Sequence, residues 1–183
     1  MPSKPNQNGY QTIIIHIKGY WREQDKVEIP DVSGVFFVYE SKFNLTDETV
    51  DILRLIFIGY GDHLNPVIHD EANQSIWKAH VREGHELCFA FADVEKGLRK
   101  RIQTAYIQRH KPPANVQTGE PFPFDNTTLV STGKTAMIDP VITARKNMEV
   151  NHESGNDQIN RQTIPVRAMS LCNRTRDEKR IAI

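Results

Sequence analysis

Cysteine is scarce in this chain: Cys88 and Cys172 are the only two in 183 residues. Two cysteines are too few for the disulfide framework that stabilises small secreted domains. Cys88 also lies inside an apolar run, residues 87–91, which indicates a buried thiol. The sequence therefore predicts an intracellular protein in which the cysteines are reduced and structural.

An excess of charge of either sign is also lacking. Twenty-three lysines and arginines balance 23 aspartates and glutamates, so no global positive field draws the chain to nucleic acid. Nucleic acid is thus a partner only through a local basic surface. No apolar stretch approaches the ~20 residues that cross a bilayer, and residues 1–8 lack the apolar centre of a signal peptide. We expect a cytoplasmic protein with no membrane partner.

The apolar residues that are present form short runs bounded by polar residues or glycine, which is typical of strands. These runs are residues 12–17, 34–39, 53–58 and 86–92. A helix is predicted from Asn65 toward His80, because asparagine is a good N-cap and Pro66 suits the first helical position. A second helix is predicted from Val94, and it ends before the prolines that follow Lys111.

The length fits one domain of ~100 to 150 residues with some excess. Residues 1–139 are predicted to form that domain, in which residues 40–51 make a long polar connection with a helical turn and the Phe122-Pro123-Phe124 segment caps the core from outside. From Pro140 to Ile183 the apolar residues are scattered, and eight basic residues stand against five acidic ones. Residues 140–183 are therefore predicted to be a polar, mildly basic C-terminal extension.

Two of the apolar runs, GVFFVY from Gly34 and LIFIG ending at Gly59, resemble the paired strands that name the GIY-YIG nuclease family. The helix, strand and helix that follow, and the segments around Asn115 and Phe122, come in the family's order. The resemblance covers residues 13–138. It implies an α/β fold with a small, mainly antiparallel sheet flanked by helices, here with an extra N-terminal strand and the C-terminal extension.

The same resemblance implies that no catalytic residue is intact. In the family, two tyrosines line the site, an arginine holds the scissile phosphate and a glutamate binds a divalent metal. The matching positions are, in that order, Phe36, Phe57, Val67 and Gln103. Phenylalanine has no hydroxyl, valine has no charge, and glutamine is a neutral amide where Mg²⁺ favours carboxylate oxygens.

The resulting hypothesis is a catalytically degenerate GIY-YIG-like domain that acts as a binding module for nucleic acid or for a protein partner. An inhibitor or regulator of a nuclease or defence complex, in a bacterium or a phage-infected cell, is one example. No cofactor is expected. Cationic side chains near one helical stripe suit phosphate, which predicts contacts through Arg99, Lys100, Arg101, His110 and Asn115.

Two alternatives stay open. The first is a Mg²⁺- or Mn²⁺-dependent endonuclease with a rearranged site, in which Tyr60 and His69 replace the lost groups together with Glu71 or Asp62. The second is a structural protein that forms a homo-oligomer through the C-terminal extension.

Overall fold

The computed structural model describes residues 10–116 and 120–146. They form a six-stranded sheet with three α-helices and one 3-10 helix, which confirms the α/β class. The strands are β1 Gln11–Arg22, β2 Gly34–Asn44, β3 Thr49–Gly61, β4 Glu86–Asp93, β5 Thr127–Gly133 and β6 Val141–Ala144. The helices are α1 Leu64–His69, α2 Glu71–Lys78 and α3 Lys96–His110, and the 3-10 helix is Glu23–Glu28.

The strand order in the sheet is β3-β2-β4-β1-β5-β6. The sheet is mainly antiparallel, as predicted, and only the β1 and β5 pairing is parallel among these strands. The N-terminal strand lies in the middle of the sheet, between β4 and β5. The sequence analysis did not predict β5 or β6.

β2 and β4 are buried on both faces. Every residue in 34–41 and in 87–92 is buried, which explains why these strands read as continuous apolar runs. On one face, Val35 and Phe37 belong to a core cluster with residues of α3. On the other face, Phe36 belongs to a cluster with residues of α1 and α2.

Two sequence predictions differ from the structure between residues 40 and 80. Residues 40–51 contain no helical turn, because β2 and β3 continue as a hairpin that turns at residues 45–48. Val50 and Ile52 pack against the core and so keep this part of β3 extended. The helix expected from Asn65 begins at Leu64 and breaks at Asp70, whose side chain accepts a hydrogen bond from the Asn73 backbone and caps α2.

The strand at 86–92 and the helix after Val94 are confirmed as β4 and α3. Phe122 is buried in the core cluster that contains α3, and the ring of Phe124 packs on it at 5.4 Å between centroids. The division at residue 140 stays a prediction: Val141–Ala144 join the sheet as β6, and residues 147–183 lie outside the described part of the chain. None of the helices described here is long and apolar enough to cross a membrane.

A buried carboxylate ties the turn after α2 to the sheet. Glu40 on β2 is fully buried, and its Oε1 accepts hydrogen bonds from Arg82 Nε at 2.7 Å and from Arg82 N at 3.2 Å. His85 Nδ1 lies 2.6 Å from the same oxygen. Arg54 Nη2 is 3.1 Å from Oε2, an ion-pair distance without hydrogen-bond geometry. Burial raises the pKa of Glu40, but the hydrogen bonds from Arg82 and His85 outweigh it and lower the pKa to about 2.

Replacing this carboxylate by an amide is expected to destabilise the fold. The Glu40→Gln variant should lose about 2 to 3 kcal/mol of unfolding free energy, because a charge that accepts several hydrogen bonds is removed beneath two arginines. Urea unfolding measures the loss. Glu83→Gln, an exposed change in the same turn, is the control and should stay within about 0.5 kcal/mol of the wild type. Equal losses in the two variants would contradict this role.

The same carboxylate predicts a pH dependence of stability. The pKa of Glu40 is lowered in the folded state from 4.5 to about 2, so its stabilising contribution is complete above pH 4.5 and is lost as the pH falls toward 2. Urea midpoints of the wild type and Glu40→Gln should therefore converge in this acid range. Curves that stay parallel through it would show that Glu40 does not titrate as the structure implies.

Candidate functional site

A pocket of about 130 Å³ lies beside the end of β3, and we call it the cleft. Its lining comes from two strands and all three helices, which the fold brings together from distant parts of the sequence. The lining residues are Phe36, Phe57, Gly59, Tyr60, Val67, Asn73, Trp77 and Gln103. The four residues that the resemblance matches to the family's catalytic positions (Phe36, Phe57, Val67 and Gln103) are among them. Trp77 was not named as a site residue from the sequence.

The apolar part of the cleft consists of three aromatic rings in mutual contact. Ring centroids are 5.8 Å apart for Phe36 and Phe57, 5.9 Å for Phe36 and Trp77, and 5.4 Å for Phe57 and Trp77. Gly59 is required beside them, because a Cβ there would lie 2.2 Å from Phe36 Cζ. The rings therefore form a fixed apolar surface, with no hydroxyl at the two positions that the resemblance matches to tyrosine.

Two side-chain amides of the lining have fixed orientations. Gln103 Nε2 donates to the Ile58 carbonyl at 3.0 Å, and Asn73 Nδ2 donates to the Val67 carbonyl at 3.1 Å. Because a carbonyl oxygen only accepts, each amide must present its NH₂ group to it. The oxygens Gln103 Oε1 and Asn73 Oδ1 have no hydrogen-bond partner among the described residues. The lining thus carries two acceptors without donors.

An ion pair lies next to the cleft. Arg99 on α3 is only 3% exposed, and its Nη2 donates to Asp62 Oδ1 at 2.6 Å. This hydrogen bond lowers the pKa of Asp62. Lys96 Nζ is 3.7 Å from the same oxygen, and Arg99 Cζ lies 6.0 Å from the Tyr60 ring centroid. Arg99 and Lys96 are therefore both paired with the Asp62 carboxylate, and no lining residue is an aspartate, glutamate, lysine, arginine or histidine.

The other basic residues predicted for partner contact have different surroundings. Lys100 is exposed, whereas Arg101 lies over the Phe124 ring at 5.3 Å. His110 is half-buried, accepts a long hydrogen bond of 3.4 Å from the Asp139 backbone, and has its pKa lowered by burial. Each of these side chains has a different neighbour, so a shared role in binding stays a prediction.

Asn115 completes the backbone hydrogen bonding at the edge of β3. Its Oδ1 accepts from Ile58 N at 2.8 Å, and its Nδ2 donates to the Ile58 carbonyl at 2.9 Å. Next to it, Ala114 N donates to the Ile56 carbonyl at 3.1 Å. The side-chain amide of Asn115 therefore occupies the place of a neighbouring strand. In this position it supports the part of β3 that forms the cleft.

The two residues proposed as catalytic substitutes are separated. Tyr60 lines the cleft and is 41% exposed. His69 is absent from the lining, and its Nδ1 lies 2.8 Å from the Asn65 carbonyl. Within residues 10–116 and 120–146, no three His, Cys, Asp or Glu side chains are grouped so that they hold a metal ion.

Comparisons of this chain with protein-family models, with curated proteins and with solved structures find no match. The resemblance to the GIY-YIG family stays a prediction from the sequence.

Removing the Asn115 amide is expected to expose the edge of β3. In Asn115→Ala the buried N–H of Ile58 loses its acceptor, which should cost about 1 to 3 kcal/mol. Hydrogen exchange should accelerate at the Ile58 amide, and the Ile15 amide in β1 serves as an internal reference. Unchanged exchange at Ile58 would show that another group satisfies this edge.

Proposed function

We propose that this chain is a catalytically inactive GIY-YIG-like domain that works by binding, with the cleft as its contact site. One observation carries the proposal. The residues at the four catalytic positions of the family line a single cleft, and they supply neither a phenol, a cation nor a carboxylate. The geometry of a site is present without the groups that its reaction requires.

The chemistry of the lining supports the loss of activity. Metal-assisted phosphodiester hydrolysis needs a carboxylate to hold the metal and a base near the attacking water. Among the lining residues only Tyr60 has a hydroxyl group. A bound metal ion contributes several kcal/mol of transition-state charge stabilisation in other enzymes, and the lining has no carboxylate to hold one and no cationic side chain.

Between the two classes of partner, the charges favour a protein over nucleic acid. Nucleic-acid sites depend on unpaired Lys and Arg side chains that contact phosphates. Here Arg99 is buried and bound to Asp62, the cleft lining is uncharged, and the chain has no net charge. We place the domain in the cytoplasm as a regulator of a protein partner, such as a nuclease or a defence complex.

A cleavage assay tests this proposal directly. Purified full-length protein is incubated with single- and double-stranded DNA and RNA in Mg²⁺ and in Mn²⁺. No product above a buffer control is expected. Metal-dependent cleavage that disappears in Tyr60→Phe would instead support the endonuclease with a rearranged site.

Restoring the family's carboxylate should create a metal site in the cleft. Gln103→Glu places an anionic oxygen where the amide now lies, so millimolar Mn²⁺ should broaden the NMR signal of the Trp77 indole N–H. Gln24→Glu has the same charge change at an exposed position and should leave that signal sharp. Equal broadening in the two variants would argue against the assignment of Gln103 to the metal-binding position.

A further inference from the structure

The polar groups of the cleft are complementary to a hydrogen-bond donor. Gln103 Oε1 and Asn73 Oδ1 are acceptors without donors in the described structure, since the NH₂ group of each amide is held by a backbone carbonyl. Carbonyl oxygens in a partly buried site stabilise an N–H or O–H group and repel an anion. A phosphate or a carboxylate is therefore the wrong occupant.

The aromatic side chains of the cleft favour a cation as the occupant. Four of the eight lining residues are aromatic, and an aromatic ring attracts a cation to its face. The structure contains one example at the rim, where the Arg99 guanidinium lies 6.0 Å from the Tyr60 ring centroid. Asp62 neutralises this arginine, so it does not prevent a second cation from entering the cleft.

Lysine and arginine side chains combine the features that the cleft accepts. Each has an apolar stem that packs on apolar surface, and a charged end that donates hydrogen bonds and accepts none. A neutral aliphatic side chain would fill the apolar part but leave both amide oxygens unpaired. We infer that the cleft takes a lysine or arginine side chain of the protein partner. This inference rests on the proposed function and names the chemistry that the partner must present.

The experiment uses small probes and the full-length protein. N-butylammonium and N-butylguanidinium stand for the two basic side chains, 1-butanol is the neutral probe, and inorganic phosphate is the anionic one, all at matched ionic strength. NMR follows the side-chain amides of Gln103 and Asn73 and the indole N–H of Trp77. The cationic probes should saturate these shifts with millimolar dissociation constants, about fivefold tighter than 1-butanol, and phosphate should cause none.

Two pairs of variants locate the site. Gln103→Leu removes an acceptor and should weaken butylguanidinium binding about threefold or more, whereas Gln24→Leu, at an exposed position, should not. Val67→Phe fills the cleft and should abolish the shifts. Ile76→Phe, on an exposed face of α2, is its control. The two members of each pair must have similar melting temperatures for the comparison to count.

Each other outcome overturns the inference in a distinct way. Equal binding of 1-butanol would assign the cleft to a neutral apolar side chain. Tighter binding of phosphate than of the cationic probes would indicate that the cleft is a nucleic-acid site. Absence of any saturable shift, or shifts unaffected by Val67→Phe, would show that the cleft is not a site for basic side chains. The cleavage assay is independent of these results, so a protein that fails here and cuts no nucleic acid would retain the proposed function without this inference.

Discussion

The burial of β2 and β4 on both faces is the constraint on which the rest of the structure depends. Strands with apolar side chains on both sides need cover on both sides, and α3 supplies it on one face while α1 and α2 supply it on the other. Beside the end of β3, residues from both layers meet. The cleft therefore forms where the doubly covered part of the sheet ends, and its lining includes residues of the three α-helices described here.

The sequence predicted the parts of the fold whose pattern is strong. The continuous runs at 34–39 and 86–92 mark strands that are buried on both faces, and the spacing after Val94 marks α3. β5 was missed because two of its three buried positions, Thr127 and Ser131, carry hydroxyl groups, so its alternating burial does not appear as alternating hydropathy in the sequence. The break at Asp70 was missed because an aspartate in a helical pattern shows its capping role only when the Asn73 amide is seen to donate to it.

The sequence predicted those residues of the candidate site whose neighbours are set by strand pairing. Phe36 and Phe57 lie on paired strands, so their proximity follows from the register. The pairing of Arg99 with Asp62 and the contribution of Trp77 depend on how helices pack over the sheet, which local patterns do not encode. The contacts of the predicted basic residues also depend on this packing: Arg99 is buried beside Asp62, Arg101 lies over the Phe124 ring, and Lys100 is exposed.

The Asn115 amide that occupies the edge of β3 has a consequence for how any partner approaches. An edge strand with unpaired backbone groups recruits other strands, which leads to β-augmentation or aggregation. β3 also has two shifts of register opposite β2, and such bulges twist an edge away from further pairing. Together these features disfavour the addition of a partner strand to the edge of β3 beside the cleft. In the binding role proposed above, recognition would therefore use side chains that enter the pocket, and its specificity would depend on the chemistry of single residues.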